Sequence, residues 1–226
     1  WYGYVENFIG VSGRKEGLSQ LPDGNFLPPL DMNCVEKDFK KNLFDKLGRT
    51  YTSGRVTNIT KNHNGRGKCQ SRNLCIRGCP YGAYFSSNSS TLPAAEATGN
   101  MTLKTNSIVH SIIYDDEKNK ATGVRVLDSE TLEMTEYYAR IIFLNASTIN
   151  STLIMLNSKS RRFPNGFGND SGELGHNIMD HHFKAGARAQ IDGYEDYYYH
   201  GNRPANGYLA RFRNLGNEKM NYLRGF

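Results

Sequence analysis

Three of the chain's four cysteines crowd one short stretch, Cys69-Gln-Ser-Arg-Asn-Leu-Cys75-Ile-Arg-Gly-Cys79-Pro80-Tyr-Gly82-Ala83, while Cys34 stands far off. The C-x5-C-x3-C spacing, closed by a Cys-Pro pair, puts soft thiolate donors on one tight loop, as iron–sulfur clusters need. Gly78 and Gly82 allow sharp backbone turns, and Arg72 and Arg77 would offset thiolate charge. Structural zinc usually takes four Cys or His ligands in C-x2-4-C pairs, so a zinc site here would have to recruit a residue such as His63. A disulfide would use two of the three and leave one over. The plainest alternative is reduced cysteines packed as small apolar residues. Spacing alone leaves all of these open.

The chain around the loop is large enough to bury a core, as one large domain or two small ones. Of its 226 residues 38% are hydrophobic, and 14 Tyr and 11 Phe supply aromatic mass, which argues against disorder. No apolar run approaches a membrane span and no signal peptide opens the chain. The abrupt start at Trp1 and end at Phe226 suggest an excised piece, so missing targeting segments carry no weight. The net charge of +6 could suggest nucleic acid, but the basic residues are scattered. The densest group, Lys159-Ser-Arg161-Arg162, follows an apolar helical stretch and would complement that helix's C-terminus.

Periodicity sets the elements that must position the cysteines. Tyr4-Val5 and Phe8-Ile9 form a short helical face before Gly10. Val35, Phe39, Leu43 and Leu47 repeat at helical spacing and Gly48 ends the helix. Arg49 to Thr60 is strand-like, and a polar loop from Asn62 to Gly67 leads into the cysteines. Ser86 to Thr91 offers N-caps for a helix over Leu92–Ala97, closed by Gly99. Ser107–Tyr114, Ala121–Leu127 and Met134–Tyr138 alternate as strands, with Asp115 and Asp128 opening the turns between them. Ile141–Leu144 is apolar throughout, as a strand covered on both faces would be. Small residues from Asn145 to Thr152 then turn into a helix at Leu153–Leu156. Such a strand–turn–helix can bring backbone close to an anion, although the same pattern serves packing alone. After a loop over 163–177, the tail from Ala185 alternates loosely and starts a second sheet.

In order and interval, these segments resemble the glucose–methanol–choline (GMC) flavoprotein oxidoreductases. More narrowly, they resemble the bacterial branch with gluconate, fructose and sorbitol dehydrogenase flavoprotein subunits. The matching residues are Cys75-Ile-Arg-Gly-Cys-Pro-Tyr-Gly-Ala83, Thr102-Leu-Lys-Thr-Asn-Ser-Ile-Val-His110, Gly123-Val-Arg-Val126, Ile142-Phe-Leu-Asn-Ala-Ser147, Asn150-Ser151 and Gly172-Glu-Leu-Gly-His-Asn-Ile-Met-Asp-His181. The resemblance implies a mixed α/β fold. A portion of a Rossmann-like FAD-binding domain with a small antiparallel meander would adjoin part of an antiparallel-sheet substrate domain. The implied division is 1–68 for the substrate or cap region, 69–83 for the Cys-rich loop, 84–182 for the FAD-binding portion and 183–226 for the start of the substrate-domain sheet.

The resemblance also assigns residues. The Leu103–Val109 strand, through Ser107, Ile108 and Val109, would run beside the adenosine of FAD. Ile141–Leu144 would rejoin the main sheet. Ala146 (usually Gly in the family), Ser147 and Asn150 would turn over the cofactor, with Asn177 and His181 as further contacts. Cys69, Cys75 and Cys79 would hold a three-iron cluster passing electrons from reduced flavin to a cytochrome c partner, beside a small subunit. That implies a sugar, sugar acid or polyol oxidised at a CH–OH group and no nucleic-acid partner; it leaves the location open, favouring a periplasmic or membrane-associated setting through partner subunits over a cytoplasmic one. A zinc-binding structural module without activity is the alternative. The G-x-G-x-x-G fingerprint does not occur, and in the family it lies ahead of Trp1. The catalytic His and its partner would follow Phe226, so no catalytic base is assigned, and His110, His176, His181, His182 and His200 are taken as structural or loop residues. The chain by itself is expected to be inactive.

Overall fold

The computed structural model of this chain describes residues 1–72, 74–180, 186–195 and 205–222. In chain order its helices are α1 (Tyr2–Ile9), α2 (Cys34–Leu47), α3 (Thr91–Glu96) and α4 (Ser147–Asn157). Its strands are β1 (Tyr51–Ser53), β2 (Ser107–Asp115), β3 (Lys120–Asp128), β4 (Met134–Tyr138) and β5 (Gly207–Leu209). The fold is mixed α/β with antiparallel sheets. None of these helices is long and apolar enough to cross a membrane. The chain divides into two compact units, Trp1–Met101 with Ala189–Phe226, and Thr102–Arg188.

In the first unit, α1 stops where Gly10 takes a left-handed conformation. The longer α2 is framed at both ends. Asn33 accepts from the Glu36 amide while Glu36 accepts from the Asn33 amide, and Gly48, at φ 60°, returns its N–H to the last turn. Phe39 of α2 meets Tyr51 of β1 edge to face at 5.1 Å. β1 pairs antiparallel with β5, Thr52 opposite Tyr208. The interior here is small and partly polar. Ile59 is fully buried beside Ser12, Thr52 and Ser53. Each of those hydroxyls has a partner: Ser12 donates to the Asn58 carbonyl, Thr52 to Glu16 and Ser53 to the Leu30 carbonyl. Of the strand expected over Arg49–Thr60, only Tyr51–Ser53 forms. Beyond it, Val56 and Asn58 make isolated bridges to Ser12 and Tyr84.

The second unit is a three-stranded meander, β2-β3-β4, with Val109 opposite Val126 and Arg125 opposite Glu136. The aspartates expected at its turns build them. Asp115 accepts from the amides of Glu117 and Lys118, and Asp128 from those of Glu130 and Thr131. α4 and the residue after it bond the outer edge of β2, Asn157 donating to the His110 carbonyl and Ser158 bonding Ile112. Ser158 accepts from the Ile112 N–H at 2.7 Å and donates to the Ile154 carbonyl. Ser158, Ile112 and Ile154 are all buried. Ser158→Ala would strand the buried Ile112 N–H and is expected to cost about 1–3 kcal/mol. Urea unfolding should show a lower midpoint at unchanged slope.

Four local expectations differ from the structure. Residues 101–105 form no strand, and β2 starts at Ser107. Ile141–Leu144 is not a ladder strand either: Ile141 and Phe143 are 72% and 81% exposed, while Ile142 and Leu144 turn inward. An apolar run becomes a strand only with a neighbour for its backbone, and none of the described strands pairs with it. The helix expected from Leu153 starts at Ser147. Arg161 and Arg162 lie past its end rather than in its last turn. Their amides bond Asp116, while the Arg162 side chain pairs with Asp170 and lies over the Phe163 ring.

Candidate functional site

The cysteine loop hangs from the backbone of one buried residue. Cys69 donates its N–H to the Ile59 carbonyl at 2.9 Å, and Ile59 donates its own N–H to the Ala83 carbonyl at 3.0 Å. Both ends of the loop are thereby fixed at a residue with no exposed surface. Arg66, 4% exposed, closes the base. Its guanidinium donates to the carbonyls of Gly82, Ala83, Thr57 and Ile9. A planar fork of five N–H donors meets such a spread of acceptors, which a lysine cannot. Burial lowers the Arg66 pKa, and a thiolate at Cys79 opposes that shift.

Within this frame, Cys75–Arg77 forms a 3-10 turn, and Gly78 (φ 95°) and Gly82 (φ 64°) supply the left-handed corners. Cys69, Cys75 and Cys79 are free thiols lining one cleft together with Asn58, Arg72 and Tyr81. The Cys69 sulfur accepts from the Ser71 N–H at 3.4 Å. Burial pushes the Cys79 thiol up, but the backbone amides of Tyr84, Tyr81 and Ala83 and the Arg72 guanidinium outweigh it, leaving the thiol below the ordinary cysteine value. In the metal-free chain, alkylation of Cys79 should therefore have its midpoint at lower pH than in the urea-unfolded chain, read by peptide mass spectrometry across pH.

Thiolates are donors that an iron–sulfur cluster and a zinc ion both accept. Among the described residues no three His, Cys, Asp or Glu side chains converge to hold one metal ion. His63, the recruit a zinc site would need, is engaged elsewhere: its Nε2 bonds the Asn7 carbonyl at 2.5 Å. The free space in the cleft is only about 30 Å³.

The expected flavin contacts fall in the second unit, except His181, which lies outside the described residues. Ser107, Ile108 and Val109 begin β2, with Ser107 and Ile108 exposed and paired to β3 on one side only. That leaves the other strand edge open to a flat ligand. Ala146 and Ser147 begin α4, whose N-terminus has no side-chain cap and no acidic residue in its first turn. Its first N–H groups are therefore available to an anion. Ser147 has φ 65°, an uncommon conformation for a residue with a Cβ, one position after Ala146. Asn150 stands exposed one turn further on. Asn177, also left-handed, bonds Glu173 through its amide. Its loop packs on α4 at Gly175, where a Cβ would come 3.4 Å from Thr152. An open strand edge can take a flat ring, and an uncapped helix start an anion. Ser107–Val109 and the α4 N-terminus share the unit, but the bonds joining β2 to α4 lie at His110 and Ile112.

Sequence reasoning passed over Arg66 and Ile59. Arg66 sits between Gly65 and Gly67 in a polar stretch and looks solvated, because its four acceptors come from separate segments. Asn58 lies within the strand-like Arg49–Thr60 stretch and carries no local signal, yet it is 3% exposed on the wall of the cysteine cleft.

Residues 35–183 match a family described as GMC oxidoreductase. The chain is 27% identical over 184 residues to 2-methyl-1,2-propanediol dehydrogenase of Mycolicibacterium austroafricanum, covering 80% of this chain and 32% of that protein. It is 25% identical over 188 residues to the fructose dehydrogenase large subunit of Gluconobacter japonicus, covering 80% and 33%. With 6'''-hydroxyparomomycin C oxidase of Streptomyces lividus it shares 29% identity over 118 residues, 51% of this chain and 21% of the relative. The chain thus spans about a third of the length of the first two relatives.

Proposed function

We propose, from the premise that the chain belongs to the GMC oxidoreductase family, that it is the central part of an FAD-dependent dehydrogenase. Its substrate would be a sugar, sugar acid or polyol oxidised at a CH–OH group. Cys69, Cys75 and Cys79 would hold a three-iron cluster. The observation that carries the reading is the clamped cysteine loop, its thiols on one cleft and Cys79 biased toward thiolate, in a chain that matches this family over 35–183.

FAD, when bound, accepts the hydride from the substrate carbon. The residues of this chain bind and orient rather than react. The β2 edge at Ser107–Val109 would receive the adenosine. The free N–H groups at the start of α4, with Asn150, would receive the diphosphate. Asn177 and His181 are the outlying contacts of the same reading. Ala146 keeps the corner before α4 small. The cysteine loop supplies the thiolates for a second redox group, which suits a dehydrogenase that delivers electrons to a protein. The word "subunit" in the fructose dehydrogenase relative's name supports a multi-chain assembly; a small subunit and a cytochrome c would be the partners of this reading. The propanediol and fructose dehydrogenase relatives support a polyol or sugar substrate.

Exposed apolar side chains support a larger protein around this part. Leu103, Ile108, Ile141, Phe143, Ile149 and Met179 in the second unit are all more than half exposed, more apolar surface than a free-standing unit of this size usually leaves to water. The test is anaerobic. Full-length protein should be yellow, and a panel of sugars and polyols should bleach the flavin with at least one member. Flavin that no CH–OH compound reduces would overturn the substrate class.

A further inference from the structure

The wall of the cysteine cleft contains a polar group that the fold leaves unused. Asn58 is 3% exposed, and its side-chain Nδ2 is buried with no hydrogen-bond partner. Its backbone is tied on two sides. It bridges Tyr84, which follows directly on the loop, and its carbonyl accepts from the Ser12 hydroxyl at 2.9 Å. Asn58 lines the same cleft as Cys69, Cys75 and Cys79. A buried amide donor left unpaired costs about 1–3 kcal/mol, and such groups are rare without an acceptor to serve. Of the other donors near the cleft, Arg72 lies over the Tyr81 ring and acts on Cys79 by its charge. Arg66 is spent on four carbonyls and the Ser71 N–H faces Cys69.

We propose that Asn58 is a positioning residue for the group held by the three cysteines, its side-chain amide donating a hydrogen bond to a sulfur of that group. The inference rests on the cluster reading above. Sulfur, as thiolate or as sulfide, is the acceptor the cleft offers in quantity. Hydrogen bonds to cluster sulfurs are among the factors that set reduction potential. An N–H donor stabilises the more negative, reduced state, so Asn58 raises the potential. It contributes no ligand and touches no substrate.

The experiment uses full-length protein prepared without oxygen. Asn58→Leu keeps the side-chain size and removes the donor. Because Nδ2 has no protein partner, the variant is expected to fold and to carry the same iron and flavin as the parent. The cluster's midpoint potential, followed by electron paramagnetic resonance in a redox titration, should move to a more negative value while the flavin potential stays in place. If Asn58→Leu does not yield folded protein, Asn58→Ala makes the same deletion with less bulk. Iron-loaded variant with an unmoved cluster potential overturns the inference and leaves a water as the acceptor of Asn58. Iron-free parent protein sinks the cluster reading and this inference with it, so the two failures are told apart by the parent's iron content.

Discussion

Replacing Arg66 by methionine is expected to cost about 3–4 kcal/mol of stability and to release the cysteine loop. The side chain is almost wholly buried, so the loss is not shared with water. Methionine fills much of the volume but donates nothing, leaving the carbonyls of Gly82, Ala83, Thr57 and Ile9 short of a partner at once. Those four carbonyls come from three separate segments, so the effect reaches beyond the loop to the end of α1. For a chain of this size the midpoint of thermal unfolding, followed by circular dichroism, should fall by roughly 10 °C. Arg66→Lys keeps the charge yet cannot span the four acceptors, and it should recover only a minor share. A loss below about 1 kcal/mol would mean that the ring of carbonyls does not depend on the guanidinium.

Cys75→Ser should have the largest effect on function. Cys75 opens the 3-10 turn between the other two cysteines, on a loop whose ends are fixed at Ile59. Losing an outer-shell partner of a metal costs 10–100-fold in affinity, so losing a ligand outright should cost more than about 100-fold. Full-length variant should therefore lose its iron, and reduction of a cytochrome by substrate should fall to background. Bleaching of the flavin by substrate should persist, because in this reading the flavin contacts lie on β2 and α4 rather than on the loop. A variant that keeps its iron and its cytochrome reduction would contradict the assignment of Cys75.

How far the sequence reveals this arrangement depends on the range of the interactions. The α2 helix is plain in the spacing of Val35, Phe39, Leu43 and Leu47 before Gly48, because cap and stripe are local signals. The meander is equally plain, since each Asp turn is built within four residues of the chain. Ile141–Leu144 has the composition of a buried strand, but composition cannot provide the neighbour that makes it one. The small residues from Asn145 onward suggest a turn as far as Thr152, whereas the helix already starts at Ser147. The cysteines are conspicuous in sequence, but their supports are not. Arg66 and Asn58 acquire their roles only when Ile9, Thr57, Gly82, Ala83 and Tyr84 meet in space, which nothing local encodes.

The central claim, a flavin enzyme whose three-cysteine loop carries iron, is tested most directly by one composition measurement. Full-length protein purified without oxygen should contain one flavin, three irons and acid-labile sulfide per chain, with a broad visible absorbance under the flavin bands. Stoichiometric zinc without iron or sulfide, or a colourless protein after reconstitution with FAD, would contradict it.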